Sequence, residues 1–340
     1  MKLTWYLKEL RRKYPFTISG HTTVADTVIM TEIEHDGVIG YGEACPGYYF
    51  TETLDDSINF LSTVKLEQFK DPQAIETILS YVDSLHPGHT AAKAGVDIAL
   101  HDLVGKLTNR PCYELFGSDP ATMPATTLTI GIDTPDMIRK KVLEATDFKL
   151  LKIKLGSDND RQIIETIRSV SQQPLTVDAN QGWNDRSQAL EMIHWLKEQN
   201  TIFVEQPMPK DQWDNHAWLT QHSPLPIVAD EAVQRLADVD KAKGAYHGVN
   251  IKMVKCTGMH EGYKIIKRAR ELGLKLMVGC MGESSVAILG AAAIAPQCDW
   301  VDLDSTWLIN NNPYQDPVLK EGKIILSNQP GLGLQQHSNK

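Results

Sequence analysis

The segment that decides the fold runs from residue 150 to residue 180 and reads LLKIKLGSDNDRQIIETIRSVSQQPLTVDAN. An apolar run ending in Lys154 is followed by a helix-like stretch and then by a second apolar run ending in Asp178. A strand, a helix and a second strand at a spacing of about 25 residues are typical of a compact βα unit. The segment therefore predicts one unit of a parallel α/β architecture.

The same pattern continues along the chain on both sides of this segment. Apolar runs recur about every 22 to 27 residues and end near Ile130, Lys154, Asp178, Glu205, Asp230, Lys252, Gly279 and Asp302. Eight such strands predict a parallel (β/α)8 barrel of the TIM type over residues 125–310. The alternative is a doubly wound open sheet, whose first strand should be followed by a glycine-rich phosphate turn. Residues 131–134 read GIDT, which favours the barrel.

The chain before the barrel has a different organisation. Residues 27–34 and 38–41 alternate as strands on either side of the turn dipeptide Asp36-Gly37, which predicts an antiparallel hairpin. Helical spacing follows over residues 55–115. We therefore expect an α+β capping domain over residues 1–120.

The chain after the barrel contains one more strand-like run, KIIL at residues 323–326. This run lies outside the eightfold count of barrel strands. We expect residues 311–340 to pack back on the capping domain and to complete it.

Composition narrows the class of protein and its partners. Of 340 residues, 42% are hydrophobic and 23% are charged, which is ordinary for a globular protein. A net charge of −9 disfavours a nucleic-acid partner, because binding to a phosphate backbone needs excess cations. No apolar run approaches the ~20 residues of a membrane span, and the N-terminus lacks the apolar stretch of a secretory signal. Five cysteines without a CxxC pair fit free thiols, so we expect a cytoplasmic protein. The sequence leaves open whether the protein forms a homo-oligomer.

Three consecutive predicted strands end in a carboxylate, namely Asp178, Glu205 and Asp230. Active sites of such barrels lie at the C-terminal ends of the strands, and neighbouring strands are ~4.8 Å apart. Three inward carboxylates at one level repel each other unless a cation lies between them. Oxygen ligands on rigid strands suit Mg²⁺ better than Zn²⁺, so the pattern predicts a magnesium site.

Lysines end two strands on opposite sides of the predicted ring. Lys152 and Lys154 share one face of the second strand because of the two-residue period, and Lys252 ends the sixth strand. Each of the paired ammonium groups disfavours the charge of the other, so one of them could be neutral and act as a base. Lys154 and Lys252 would face each other across the barrel mouth, as inversion of a carbon centre requires.

Further polar groups are predicted at the same mouth. Asp302 and Asp304 share one face of the eighth strand, opposite the metal ligands, where they could receive a cation such as a free amine. Thr129 ends the first strand and Cys280 follows the seventh, and we expect both to contact the substrate. Asn180 is expected to support the metal site behind its ligands.

These motifs resemble the enolase superfamily, specifically its muconate lactonizing enzyme subgroup, and within it the dipeptide epimerases. The resemblance covers nearly the whole chain and rests on YGEACP at 41–46, LKIK at 151–154, VDAN at 177–180, VEQP at 204–207, ADE at 229–231, NIK at 250–252, GCMGES at 279–284 and DLD at 302–304. The Asp-x-Asp sequence on the eighth strand is the feature that resembles the epimerases within the subgroup.

The resemblance implies a magnesium-dependent isomerase that epimerises a dipeptide at its second residue through an enediolate. Asp178, Glu205 and Asp230 would hold Mg²⁺ beside the substrate carboxylate, to which Lys152 would add a cation. Lys154 and Lys252 would remove the α-proton from one face and return it to the other. Asp302 and Asp304 would hold the amino group of the first residue.

Two capping-domain loops, near residues 16–22 and 47–51, are implied to cover the second side chain. An epimerase selecting Ala-Glu would be expected to offer a cation there, but the first loop reads FTISGHT. His21, Arg11 or Arg12 are the alternatives that could supply one. We therefore expect an uncharged second residue, apolar or small and polar, after a small first residue such as alanine.

Other functions remain as alternatives. One is an Ala-Glu epimerase, and a second group comprises N-acylamino acid racemase, o-succinylbenzoate synthase and muconate cycloisomerase of the same subgroup. The substrates of that group lack a free ammonium and leave Asp302 and Asp304 without a purpose. A non-catalytic barrel that acts as a binding module is the third alternative.

Overall fold

The computed structural model describes residues 1–47 and 52–337 of the chain. Its N-terminal layer is an antiparallel three-stranded sheet of β1 (Lys2–Ile18), β2 (His21–His35) and β3 (Val38–Ala44), paired in that order. The turn between β2 and β3 contains Asp36 and Gly37, both with positive φ, as the predicted hairpin requires. The long strand β1 is a third member of the sheet, added to that hairpin.

Four helices complete the capping layer: α1 (Leu54–Thr63), α2 (Ile75–Ser84), α3 (Thr90–Leu107) and α4 (Cys112–Leu115). The central helix α3 is buried along most of its length and packs on β3. Its small residues permit this close approach, because a Cβ atom at Gly42 of β3 would clash with the carbonyl oxygen of Gly95. The Asp97 carboxylate of α3 also accepts a hydrogen bond from the backbone N–H of Met259 (2.6 Å), which joins the cap to the barrel.

Eight parallel strands form the barrel wall in the order of the chain. They are β4 (Thr127–Ile130), β5 (Leu150–Lys154), β6 (Leu175–Asp178), β7 (Thr201–Glu205), β8 (Ile227–Ala229), β9 (Gly248–Lys252), β10 (Lys275–Gly279) and β11 (Trp300–Asp302). The helices between them are α5 (Pro135–Glu144), α6 (Asp160–Arg168), α7 (Arg186–Glu198), α8 (Trp213–His222), α9 (Val239–Ala242), α10 (Met259–Glu271) and α11 (Ser285–Ile294). A parallel bridge between Thr126 and Val301 connects the two ends of the wall, so the barrel is nearly closed.

The predicted barrel with an N-terminal cap is confirmed. Seven of the eight strands end at the residue that the sequence pattern indicated, whereas β8 ends at Ala229, one residue before Asp230. The carboxyl ends of all eight strands meet at one rim, which brings their polar end residues together.

The chain after β11 forms α12 (Ser305–Leu308) and a small hairpin of β12 (Leu319–Lys320) and β13 (Lys323–Ile324), so β13 is shorter than the KIIL run. Beyond it, the carbonyl oxygen of Gly331 accepts a hydrogen bond from the backbone N–H of Cys112 (2.8 Å). The N–H of Leu332 donates to the Asp102 carboxylate of α3 (2.8 Å). Within the described residues, the longest and most apolar helices still fall short of a membrane span.

Candidate active site

A carboxylate cluster lies at the centre of the barrel rim. Asp178 and Glu205 are register partners at the ends of β6 and β7, and Asp230 follows β8 directly. All three are buried, and one carboxylate oxygen of each lies within 4.8 Å of those of the other two. Three buried carboxylates this close together, with oxygen atoms only, fit a hard divalent cation such as Mg²⁺.

The three lysines named from the sequence contact this cluster directly. Lys152 Nζ lies 2.7 Å from Glu205 Oε2 and 3.1 Å from Asp178 Oδ2. Lys154 Nζ lies 2.7 Å from Asp178 Oδ2, and Lys252 Nζ lies 2.6 Å from Asp230 Oδ2. The lysines of β5 and β9 therefore contact different members of one carboxylate cluster from opposite walls of the barrel.

The surrounding carboxylates dominate the electrostatics of Lys152 and Lys252. Burial lowers the pKa of Lys152, but the carboxylates of Asp302, Glu205 and Asp178 outweigh burial and raise that pKa well above its usual range. Burial likewise lowers the pKa of Lys252, and the charges of Asp230 and Glu205 raise it overall. These carboxylates therefore favour the protonated form of Lys152. A divalent cation among these carboxylates would offset the negative charge that raises the pKa values of the lysines.

The two acids at the eighth strand are satisfied in different ways. Asp302, the last residue of β11, accepts hydrogen bonds from Lys152 Nζ (2.7 Å) and Thr127 Oγ1 (2.5 Å). Burial raises its pKa, but Lys152 and these hydrogen bonds lower it overall. Lys152 of β5 therefore reaches Asp302 across the barrel interior and neutralises a carboxylate that the sequence analysis assigned to a substrate amine.

Asp304 lies beyond β11, immediately before α12, and is buried. Its Oδ2 accepts the backbone N–H of Thr129 (2.5 Å), and its Oδ1 lies 3.9 Å from Cys280 Sγ. Burial and the neighbouring charge of Asp302 raise the pKa of Asp304 to about 6. Among the described residues, no basic side chain forms an ion pair with Asp304, so it retains the capacity to accept an external cation.

A cavity of about 140 Å³ lies between the rim and the capping layer. Its lining includes the following residues named from the sequence: Thr129, Lys152, Lys154, Asn180, Asp230, Lys252, Cys280, Asp302 and Asp304. Cys280 is present as a thiol, because burial and the charge of Asp304 raise its pKa well above the usual range. Asn180 accepts a hydrogen bond from Lys154 Nζ (3.0 Å), and its backbone N–H donates to Asp178 Oδ1 (2.9 Å).

The capping layer contributes Phe16, Ile18 and His21 from the first predicted loop to the cavity lining. Gly47 also lines the cavity, whereas residues 48–51 of the second loop lie outside the described residues. Arg12 is the arginine that reaches the cavity, with Nη2 2.7 Å from Asp26 Oδ2. Arg11 instead exposes 63% of its side chain near Glu9.

Two neighbours of the cluster escaped the sequence analysis. Glu231 lines the cavity, and burial together with the charge of Asp230 raises its pKa to about 7. In a continuing strand it would have faced away from Asp230, but β8 ends at Ala229 and the alternation stops there. Lys255, three residues after Lys252, reaches Asp230 Oδ1 (2.7 Å) from the turn that follows β9. The Lys-x-x-Lys spacing was the available signal for Lys255.

Comparison with known families matches both parts of the chain. Residues 2–117 match the mandelate racemase/muconate lactonizing enzyme N-terminal domain, and residues 136–339 match the enolase C-terminal domain-like family. A relative from Bacteroides thetaiotaomicron, named L-Ala-D/L-Glu epimerase, is 52% identical over 98% of this chain and 88% of its own length.

Solved structures of epimerases and racemases have the same fold as this chain. The dipeptide epimerase of Enterococcus faecalis, complexed with Mg and the dipeptide L-Leu-L-Tyr, superposes with a TM-score of 0.90 at 31% identity and covers 98% of this chain and 99% of its own. An N-succinyl Arg/Lys racemase from Bacillus cereus has a TM-score of 0.91 at 28% identity and covers 99% of this chain and 96% of its own. The curated relatives are epimerases, and this chain is likewise an enzyme of the isomerase class. The chain belongs to the mandelate racemase/muconate lactonizing enzyme family of the enolase superfamily.

Proposed function

We propose that the protein is a Mg²⁺-dependent dipeptide epimerase that inverts the α-carbon of the second residue. The observation that carries this proposal is one cavity lined by Lys154, Lys252, Asp304 and Asp230. Asp230 joins this cavity to the carboxylate cluster that it forms with Asp178 and Glu205. Two potential bases, an acidic group for an amine and a cluster for a cation are the groups that such a reaction needs. The epimerase relatives support the same reaction class.

Asp178, Glu205 and Asp230 are the residues that would hold the metal ion. The ion would supply positive charge beside the C-terminal carboxylate of the dipeptide, where negative charge develops as the α-proton leaves. Lys152, which is buried against Glu205, adds a permanent cation at the same place.

Lys154 and Lys252 are the proposed bases. Each contacts a different member of the cluster, Asp178 and Asp230, and their strands β5 and β9 are four apart in a ring of eight. One lysine takes the α-proton from one face of the substrate carbon, and the other returns a proton to the opposite face. The configuration of the carbon is thereby inverted.

Asp304 is proposed to accept the ammonium of the first residue. Its Oδ2 is held by the backbone N–H of Thr129, while Asp302 is already neutralised by Lys152. Asp302 then acts mainly by fixing Lys152. An acylated amine carries no charge to match Asp304, which disfavours the N-acylamino acid racemase alternative.

Glutamate is a second candidate for the second residue, beside the uncharged residues expected from the sequence. Arg12 reaches the cavity, and its buried Nε–H has no acceptor among the described residues. The 52% identical relative is named for Glu. The ion pair of Arg12 with Asp26, however, already compensates the charge of the guanidinium, which favours an uncharged second residue. Ala-Glu and Ala-Gln have nearly the same shape and differ in charge, so this pair separates the two candidates.

The experiment incubates the purified protein with a panel of L-Ala-L-Xaa dipeptides and separates the diastereomers by chromatography. We expect L-Ala-D-Xaa to accumulate, EDTA to stop the reaction, and Mg²⁺ to restore it. Lys154→Ala and Lys252→Ala should each abolish epimerisation, while each variant can still exchange the α-proton of one stereoisomer with solvent.

The racemase alternative is tested in the same assay with N-acetyl dipeptides and N-succinyl amino acids. The proposal requires that these acylated compounds react far more slowly than free dipeptides. Equal turnover of acylated and free substrates, or normal epimerisation by either lysine variant, would overturn the proposal.

A further inference from the structure

A fourth lysine, Lys255, contacts the carboxylate cluster from outside the cavity. Its side chain is 1% exposed, and it is not among the described residues that line the cavity. Its Nζ donates to three acceptors, the Asp230 Oδ1 (2.7 Å), the Asp230 carbonyl oxygen (2.7 Å) and the Asn250 carbonyl oxygen (2.8 Å). Three acceptors use all three N–H groups, so the ammonium is fixed and cannot reach a substrate.

The two oxygens of Asp230 face different lysines. Oδ2 contacts Lys252, which lines the cavity and has substrate space beside it. Oδ1 contacts Lys255, which the two backbone carbonyl oxygens hold in place. Rotation of the Asp230 carboxylate would break the contact with Lys255, so Oδ2 stays directed towards the cluster.

The other two members of the cluster have the same arrangement. Asp178 Oδ1 accepts the backbone N–H of Asn180 (2.9 Å), and Glu205 Oε1 accepts Asn250 Nδ2 (2.7 Å). In each carboxylate a fixed donor holds one oxygen, and the second oxygen faces the lysines of the rim. Only at Asp230 is that fixed donor a charged group.

We propose that Lys255 is a positioning residue that orients Asp230 for binding of a divalent cation. The inference rests on the proposed function, because it takes the cluster as the metal site. Two physical effects of Lys255 oppose each other. Its charge repels a cation, whereas its hydrogen bonds hold the ligand oxygen in place and spare the cost of ordering it. Orientation of the ligand oxygen is the larger of the two effects.

The experiment measures Mg²⁺ affinity by calorimetric titration of metal-free protein, using Mg²⁺ alone as the probe. Lys255→Met keeps the length of the side chain and removes the ammonium. We expect the Mg²⁺ Kd of this variant to be about tenfold to a hundredfold larger than that of the parent. At saturating Mg²⁺ the kcat of the variant should be close to that of the parent, because the two lysine bases remain.

Lys93→Met is the matched control. Lys93 in α3 is also buried, with three acceptors in the cap, namely Asp83 Oδ1 (2.8 Å), the Asp83 carbonyl oxygen (3.2 Å) and the His86 carbonyl oxygen (2.6 Å). This variant should lose stability without any change in the Mg²⁺ Kd. Lys255→Gln is measured in parallel, and every variant is titrated below its own thermal transition, so a loss of folding is separated from a loss of affinity.

Each outcome has one meaning. A Kd for Lys255→Met and Lys255→Gln equal to that of the parent would make Lys255 a purely structural lysine and overturn the inference. A tighter Kd would show that charge repulsion outweighs orientation, and would also overturn it. A parent protein that does not bind Mg²⁺ would instead contradict the proposed function itself.

Discussion

Asp304 is the acidic side chain of the rim that we propose as the acceptor of a substrate amine. It is buried, a backbone N–H holds its Oδ2, and its pKa is raised to about 6 by burial and by Asp302. A group of this kind is ionised near neutral pH and becomes neutral in mild acid. Its ability to bind an ammonium should follow the same transition.

Replacement of Asp304 by asparagine keeps the shape and removes the charge. One charge-assisted contact contributes about 1.5–3 kcal/mol, so kcat/KM for a free dipeptide should fall about tenfold to a hundredfold. In the parent, KM should rise as the pH falls through about 6, because protonated Asp304 no longer offers a charge to the amine. Asp304→Asn should lack that part of the pH profile, which steady-state kinetics at several pH values will show.

Asp299→Asn is the control for this variant. Asp299 precedes β11 at the opposite end of the barrel and pairs with Arg270 and Lys275. Its kinetics should match those of the parent. An Asp304→Asn enzyme with parental kcat/KM and an unchanged pH profile would contradict the assignment.

At the scale of single residues, the two-residue period of a strand indicated which side chains face the cavity. It could not indicate the partners of those side chains. Asp302 illustrates the limit, since Lys152 reaches it from β5 across the interior. Lys255 lies in a turn and Glu231 lies just past a strand end, and alternation makes no prediction at either place.

At the scale of elements, the cap and the barrel meet where β3 contacts the N-terminus of α11. Glu43 of β3 is fully buried and accepts hydrogen bonds from the backbone N–H of Ser284 (2.9 Å) and from its side-chain hydroxyl. A carboxylate suits a helix N-terminus because unpaired N–H groups and the helix dipole meet it there. This contact fixes the loop between β10 and α11, whose Cys280, Met281 and Gly282 line the cavity.

Loss of this contact should affect stability strongly. Glu43→Ala leaves the donors of Ser284 buried without an acceptor, which costs about 1–3 kcal/mol for each donor. Glu43→Gln keeps one acceptor oxygen and should cost less. The measurement is urea unfolding, and Glu34→Ala serves as the control. That side chain accepts a hydrogen bond from the exposed turn at Gly37, so its loss should change stability by about 0.5 kcal/mol or less. Equal stability of Glu43→Ala and Glu34→Ala would contradict the role given to this contact.

The strands of the barrel were the most predictable elements because each is buried on both faces and reads as a short apolar run. The end of β8 is the exception. The sequence pattern placed Asp230 at the end of this strand, but the strand stops one residue earlier, at Ala229. The strand β1 was harder to assign because its sequence is rich in charged residues. Its pairing with β2, which is interrupted by a register shift between Arg11 and Phe16, brings Arg12 to the cavity. Local patterning carries no information about that shift.

At the scale of the whole molecule, several buried carboxyl groups bind protons more tightly in the folded chain than in the unfolded one. Burial is the main cause, and it raises the pKa values of Glu43, Glu205 and Glu231 to about 7 and that of Glu283 to about 8. Around neutral pH the folded state then holds more protons than the unfolded state. Stability should therefore increase as the pH falls through this range.

Two histidines have the opposite effect, but in a lower pH range. Burial lowers the pKa of His216 to about 4 and also lowers that of His247, so their contribution to stability is lost only as the pH falls below about 6.5. Between about pH 8 and pH 6.5 the carboxyl groups dominate. The melting temperature of metal-free protein should rise by a few degrees over that interval.

Mg²⁺ should modify the pH dependence of stability, because the ion competes with protons for Glu205 and its neighbours. Calorimetric melting with and without Mg²⁺ should show a larger stabilisation at about pH 8 than at about pH 6.5. A melting temperature that falls steadily from pH 8 to 6.5 in metal-free protein, or a Mg²⁺ effect that is larger at the lower pH, would contradict this account.

On the proposed function, the barrel rim exchanges the α-hydrogen of the second residue of a free dipeptide and inverts the carbon that bears it. The most direct test follows L-Ala-L-Glu and L-Ala-L-Gln by proton NMR in D₂O with Mg²⁺ present. For the dipeptide that the enzyme accepts, the α-proton signal of the second residue should disappear as the L,D diastereomer forms, while the alanine α-proton keeps its intensity. EDTA should stop both changes. Exchange at the alanine residue, or no exchange at the second residue of any free dipeptide, would contradict the claim.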